Sequence, residues 1–167
     1  LILSHATKTS LAEYLDRKIW QDIGTEAKAT WTTNSGGQEV AYCCFNAVLR
    51  DYARFGRLMA FDGAWNGKQL IPQQWVLDAT TVKATDAQLV PGKSTPFFGY
   101  GYQTWILPGP RRMFALLGAN GQRIFVDPKS KLIMVQTAVE DEEIDLKADA
   151  ETIGLWLSLV HRFGFVL

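Results

Sequence analysis

Apolar residues recur at helical spacing early in the chain. Leu11, Tyr14, Leu15 and Ile19 follow Ser10-Leu11-Ala12-Glu13, which reads as a capping box, and Gly24 is a natural stop. The spacing predicts a helix over 10–22. Thr30–Thr33 and Glu39–Cys44 read as short extended segments joined through Ser35-Gly36-Gly37. A second stripe, Val48, Leu49, Tyr52, Phe55 and Met59, predicts a helix capped by Asn46 and ended at Asp62-Gly63, with Asn66-Gly67 turning the chain again. Pro72 is placed as the first residue of a short third helix that carries Trp75, Val76 and Ala79 on one face.

Beyond a polar loop at Asp86–Pro96 the pattern changes. Phe97–Leu107, Met113–Ala119, Gln122–Val126 and Leu132–Ala138 are rich in β-branched and aromatic residues. Pro108-Gly109-Pro110, Asn120-Gly121 and Asp127-Pro128-Lys129-Ser130 separate them. Consecutive strands with short turns predict an antiparallel meander. A last helix is expected over Leu146–Phe163; its second half is apolar nearly all round, so it should pack on a sheet. Helices, then a meander, then a closing helix make an α+β fold of one domain over 1–167.

Composition narrows the function classes. The 167 residues suffice for one domain with a real core, and 6 Trp with 9 Phe make that core aromatic-rich. Lys+Arg and Asp+Glu are both 17, so the basic stripe that a nucleic acid needs is absent. The longest strongly apolar run, Ile153–Val160, contains Gly154 and Ser158 and falls short of the roughly 18–20 apolar residues of a membrane span. Leu1–His5 carries no initiating Met and no basic stretch followed by an apolar one, so the chain is expected to begin mid-element. A periplasmic and a cytoplasmic bacterial location both stay open. The two cysteines, Cys43 and Cys44, are adjacent, and ordinary bridge geometry argues against a disulfide between them. With His5 and His161 far away in sequence, no metal site and no cofactor is expected.

Several segments resemble the class C β-lactamase-like serine hydrolases. They are the helix of Leu11–Ile23 with Trp20, then Asn46-Ala47-Val48-Leu49-Arg50-Asp51-Tyr52-Ala53-Arg54-Phe55-Gly56, and Trp65-Asn66-Gly67-Lys68-Gln69-Leu70-Ile71-Pro72. Phe98-Gly99-Tyr100-Gly101-Tyr102-Gln103-Thr104-Trp105 and Gly118-Ala119-Asn120-Gly121-Gln122 with Val126-Asp127-Pro128 complete the set. Their order and spacing carry the likeness from Ser10 to Ala138, and within the family it is to 6-aminohexanoate-dimer hydrolases and related esterases. The resemblance implies a partial β-lactamase/transpeptidase-like fold and hydrolysis of an amide or ester through an acyl-serine. A Ser-x-x-Lys motif supplies the family's nucleophile and base, and Tyr-x-Asn or Tyr-x-Ser a second proton carrier. A serine hydroxyl is a poor nucleophile until a neighbour takes its proton, and the oxyanion then needs preorganised donors.

Neither motif occurs in this chain. Thr80-Thr81-Val82-Lys83 has related spacing but follows the third helix and reads as a solvated helix end. Both motifs lie upstream of Ser10 in the family, so the N-terminal segment that holds them is the expected partner, and the chain alone is expected to be inactive. In place of the third motif, often Lys-Thr-Gly or His-x-Gly, stands Leu116-Leu117-Gly118, which lacks the polar head. This weighs against a β-lactamase or D-Ala-D-Ala peptidase, while some dimer hydrolases and esterases show a similar apolar variant. The resemblance assigns the second oxyanion donor to the Ala119 N–H, with Gly118 allowing close approach of substrate to backbone. It places Cys43, Cys44, Phe45 and Asn120 at the substrate pocket.

The remaining polar residues read as structural. Asp51 and Arg54 can pair on one helix, worth a few tenths of a kcal/mol if exposed. Glu140–Glu143 reads as a solvated turn, Trp105 as core or pocket wall, and His5 and His161 as bystanders. The alternative from a different class is a non-catalytic truncated relative that binds a peptide or small amide through an open strand edge.

Overall fold

The chain opens with a short helix, α1 (Ile2–Thr7), in a computed structural model that describes residues 2–141 and 145–164. Helix α2 (Leu11–Leu15) follows and continues as a π-helical turn over Asp16–Trp20, so the helix expected over 10–22 changes its hydrogen bonding midway. The Ser10 hydroxyl accepts from the Glu13 N–H at 3.1 Å, as the capping pattern requires. The neighbouring amides of Leu11 and Ala12 donate instead to Glu39, at 3.3 and 3.2 Å.

Burial pushes the Glu39 carboxyl up, but its own N–H and those of Ala12 and Leu11 outweigh this and hold it below the ordinary value. A depressed carboxyl stabilises the fold above its unfolded pKa, about 4.3 for Glu, and that contribution fades as pH falls through the lower folded value. The protection factors of the Leu11 and Ala12 amides, corrected for intrinsic exchange, should therefore fall in acid, and Glu39→Gln should abolish that fall.

Strands β1 (Thr30–Trp31) and β2 (Phe45–Asn46) pair antiparallel, with a single bridge between Thr33 and Glu39 extending the hairpin. This corrects the placement of Asn46: it lies in β2, donates to the Cys44 carbonyl at 3.1 Å, and caps no helix. Helix α3 (Leu49–Ala60) starts after Val48, which has extended backbone and makes no side-chain cap. Asp62 and Gly63 end it with φ of 52 and 83. Strands β3 (Ala64–Trp65) and β4 (Lys68–Gln69) form a hairpin turned by Asn66 and Gly67, both at positive φ, as the dipeptide predicts. Helix α4 (Gln73–Ala79) begins one residue later than expected, with Pro72 as its cap.

Five strands form the main sheet: β5 (Gly99–Tyr100), β6 (Trp105–Ile106), β7 (Phe114–Gly118), β8 (Gln122–Asp127) and β9 (Leu132–Gln136). They lie in chain order and all pair antiparallel, which is the expected meander. Phe97–Leu107 is not the single strand that its composition suggests. It folds back at Gly101–Gln103, because Tyr102 N donates to the Ala79 carbonyl at 3.2 Å and Thr104 Oγ1 donates to the same oxygen. A Cβ at Gly101 would collide with that carbonyl, so only glycine fits.

The sheet alternates as a two-faced sheet must. Leu116, Ile124 and Val135 sit in register and pack with Phe55 and Met59 of α3. Ala115, Leu117, Phe125 and Met134 pack on the other face against helix α5 (Leu146–Phe163), whose bounds match the sequence expectation. Trp156 of α5 is fully buried and stacks on Phe125 at 5.7 Å. The apolar surface of α5 exceeds what the sheet covers: Leu155, Leu157 and Phe163 are exposed. Among the described residues, no helix is long and apolar enough to cross a membrane.

Candidate functional site

Register and topology bring two distant segments face to face. Strand β7 ends at Gly118, and a 3-10 turn over Ala119–Gly121 leads into β8. Opposite lies the β1–β2 hairpin with Cys43, Cys44 and Phe45. Between them runs an open groove of 1140 Å³, lined on one side by Trp31, Cys43, Cys44 and Phe45 and on the other by Gly118 and Ala119. Asn120, also expected at the pocket, does not line it. It adopts φ 55 and donates its amide to the Glu140 carbonyl at 2.9 Å, so it holds the turn.

The turn carries glycine at two positions with different local settings. Gly118 has ordinary extended backbone, but a Cβ there would come within 3.1 Å of the Gln122 side chain across the hairpin. Gly121 has φ +85, and a Cβ would lie 2.6 Å from the Glu140 carboxylate. Gly121→Ala should cost about 1–2 kcal/mol through the left-handed backbone and the clash, read as a lower urea midpoint at unchanged slope.

Phe45 is the hub of the facing wall. Its ring meets Trp20 at 5.0 Å, Trp31 at 5.3 Å and Tyr52 at 6.3 Å, each edge to face. Tyr52 Oη donates to the Phe45 carbonyl at 2.7 Å. Burial raises the Tyr52 pKa above its ordinary value, offset in part by a backbone hydrogen bond from Ala47. That shift moves it away from proton transfer near neutrality. The Trp31 indole donates to the carbonyls of Val40 and Cys43, both at 3.0 Å.

The cysteines correct the sequence expectation. Cys43 and Cys44 are joined by a disulfide. The rule that argued against it describes bridges between separate segments, whereas here the two α-carbons are consecutive and 3.8 Å apart. Cys44 accommodates the bridge at φ 70, a backbone state that L-residues rarely adopt.

Arg123 is the residue that sequence reasoning missed. It is 4 % exposed and hydrogen-bonds Glu140 at 2.7 and 3.0 Å and Asp149 of α5 at 3.0 and 2.6 Å. The Glu140 bonds raise the guanidinium pKa further, against the opposing effect of burial. Glu140 is therefore not part of a solvated turn; Glu142 and Glu143 of the same run lie outside the described residues. Asp51 is a second such case. It pairs with Arg54 at 2.7 Å, but it is fully buried and also accepts from the amides of Glu26 and Ala27. Trp105 lines a second cavity of 300 Å³ with Phe98 and Leu117 on the α5 side of the sheet end. His5 lies on α1, away from the groove.

The Beta-lactamase family model matches residues 1–152. The chain belongs to that family. It is 26% identical over 137 residues to the 6-aminohexanoate-dimer hydrolase of Paenarthrobacter ureafaciens, a match that covers 81% of this chain and 35% of that protein. A solved Bacillus anthracis chain, provisionally named a 6-aminohexanoate-dimer hydrolase, superposes with a TM-score of 0.85 at 31% identity. It is matched over 96% of this chain and 40% of its own length. A β-lactamase from Mycobacterium bovis shares the fold alone, with a TM-score of 0.68 at 19% identity, over 97% of this chain and 60% of that one. The chain thus spans well under half the length of the dimer hydrolases it matches.

Proposed function

We propose that this chain is the sheet-bearing part of a serine hydrolase that cleaves amides or esters through an acyl-serine. On this reading the serine, its lysine and the tyrosine motif come from a segment outside the chain. The observation that carries the reading is the groove: its floor ends in Gly118 and Ala119, where a backbone N–H can serve a developing oxyanion, and it faces a wall of Cys43, Cys44 and Phe45. A backbone donor does not depend on the side chain that bears it, so the role tolerates alanine.

The groove also bears on substrate class. Of its described lining residues only Arg123 is charged, and Glu140 and Asp149 already hold it. A neutral amide or ester suits such a lining better than the carboxylate of a β-lactam, in keeping with the apolar Leu116-Leu117-Gly118. Gly118–Gln122 is at the same time the turn that joins β7 to β8, and one backbone can do both.

The test is an assay of the chain alone and together with the upstream segment of its gene, on two neutral substrates, the ester p-nitrophenyl acetate and the amide p-nitroacetanilide. No turnover alone, and turnover with an acyl adduct on the upstream serine when assembled, is the expected result. Turnover by the chain alone would overturn the reading.

A second reading is supported by one observation. Strand β9 lies at the edge of the sheet, and among the described residues no strand pairs with its outer side, where a strand could add. As a binding module the chain would stay monomeric and melt cooperatively alone. As a part of a larger enzyme it would self-associate through that edge.

A further inference from the structure

The Cys43–Cys44 bridge has no part in acyl transfer, yet it lies in the wall that faces Gly118 and Ala119. Cys44 is exposed and Cys43 half-buried, so a small thiol can reach the bond from the groove. The backbone around it is tied into the β1–β2 hairpin by hydrogen bonds. Cys44 sits at φ 70, and its carbonyl accepts from Thr32 N at 3.0 Å and from Asn46 Nδ2 at 3.1 Å. The Cys43 carbonyl accepts from the Trp31 indole. These bonds flank both residue pairs of the β1–β2 ladder, Thr30 with Asn46 and Trp31 with Phe45. A two-residue ladder has little reserve once its flanking bonds are lost.

We propose that the Cys43–Cys44 bridge is a reversible thiol–disulfide modification site that takes a dithiol reductant, and that opening it remodels the groove wall. A reductant thiolate attacks one sulfur, forming a mixed disulfide and releasing the other cysteine as a thiolate. The second reductant thiol then displaces the remaining cysteine. The reductant leaves as a cyclic disulfide, having given two electrons and two protons to the protein thiols. Without the ring, Cys44 relaxes from positive φ to the ordinary extended region, its carbonyl turns, and Thr32 and Asn46 lose their acceptor. Phe45, one residue on, moves with the wall it anchors. The groove therefore has an oxidised shape and a reduced shape, whatever ligand it holds, and the proposal stands apart from the acyl-transfer reading.

The test uses the wild-type chain, air-oxidised, with iodoacetamide before and after dithiothreitol and with hydrogen exchange in both states. The untreated protein should take up no alkyl group and the reduced protein two, one on each cysteine. On reduction, amide exchange over residues 30–46 should quicken by about tenfold or more while β7 and β8 stay unchanged. The paired change Cys43→Ser with Cys44→Gly supplies a residue that adopts positive φ without a bridge, so its exchange should match the oxidised wild type and ignore the reductant. Cys43→Ser with Cys44→Ser should match the reduced protein. Two alkyl groups on the untreated protein, or reduction without any change over 30–46, would overturn the proposal.

Discussion

Arg123→Ala should lower stability by about 3 kcal/mol, near the lower end of what removing one partner of a buried ion pair costs. The guanidinium is 4 % exposed, while its partners Glu140 and Asp149 are 15 % and 22 % exposed. Alanine would leave two carboxylates facing a hole at the sheet end, partly screened by solvent, which places the figure low in the range. The effect should be structural twice over, because Arg123 joins β8 both to the segment that holds the Asn120 turn and to the first turns of α5. The check is urea unfolding of Arg123→Ala beside the triple change Arg123→Met, Glu140→Gln, Asp149→Asn. The triple variant removes the charges together and should recover most of the loss. Equal destabilisation by both would show that packing, not charge, accounts for the effect.

On the proposed acyl-transfer reading, Ala119→Pro should cut kcat of the assembled protein by about 10²–10³-fold with little change in KM, because it deletes the N–H proposed to act on charge formed in the transition state. Proline suits the backbone at this place. Gly118 before it is extended, at φ −115 and ψ 167, and Ala119 opens the 3-10 turn. Ala119→Ser keeps the N–H and should stay within a few-fold of wild type. A proline variant of undiminished kcat and normal stability would remove Ala119 from the chemistry.

Much of the fold could be read locally because local signals agree with the final contacts. Asn66-Gly67 and Asn120-Gly121 take positive φ at their turns, and Asp145 caps α5 by accepting from Lys147 and Ala148, so those boundaries follow from short-range chemistry. Phe97–Leu107 misled because its break is set from outside: the Ala79 carbonyl captures Tyr102 and Thr104. Asn46 misled because pairing with Thr30 outweighs its capping preference.

At the candidate site, the structure lines one groove with Cys43, Cys44, Phe45, Gly118 and Ala119, while Asn120 turns to serve the hairpin. Arg123 gave no signal, since its partners lie 17 and 26 positions away and no spacing rule links them. The disulfide was hidden by a distance rule that adjacent residues do not obey. Asp51 looked like half of a surface pair, although its work is to hold the backbone at Glu26 and Ala27.

The most direct test of the central claim is the reading frame upstream of the Leu1 codon. The account predicts that it continues and encodes Tyr-x-Asn or Tyr-x-Ser shortly before Leu1, with Ser-x-x-Lys further back. A start codon beside Leu1 and no upstream frame would contradict it, and the groove between Cys43–Cys44 and Ala119 would then belong to a binding module.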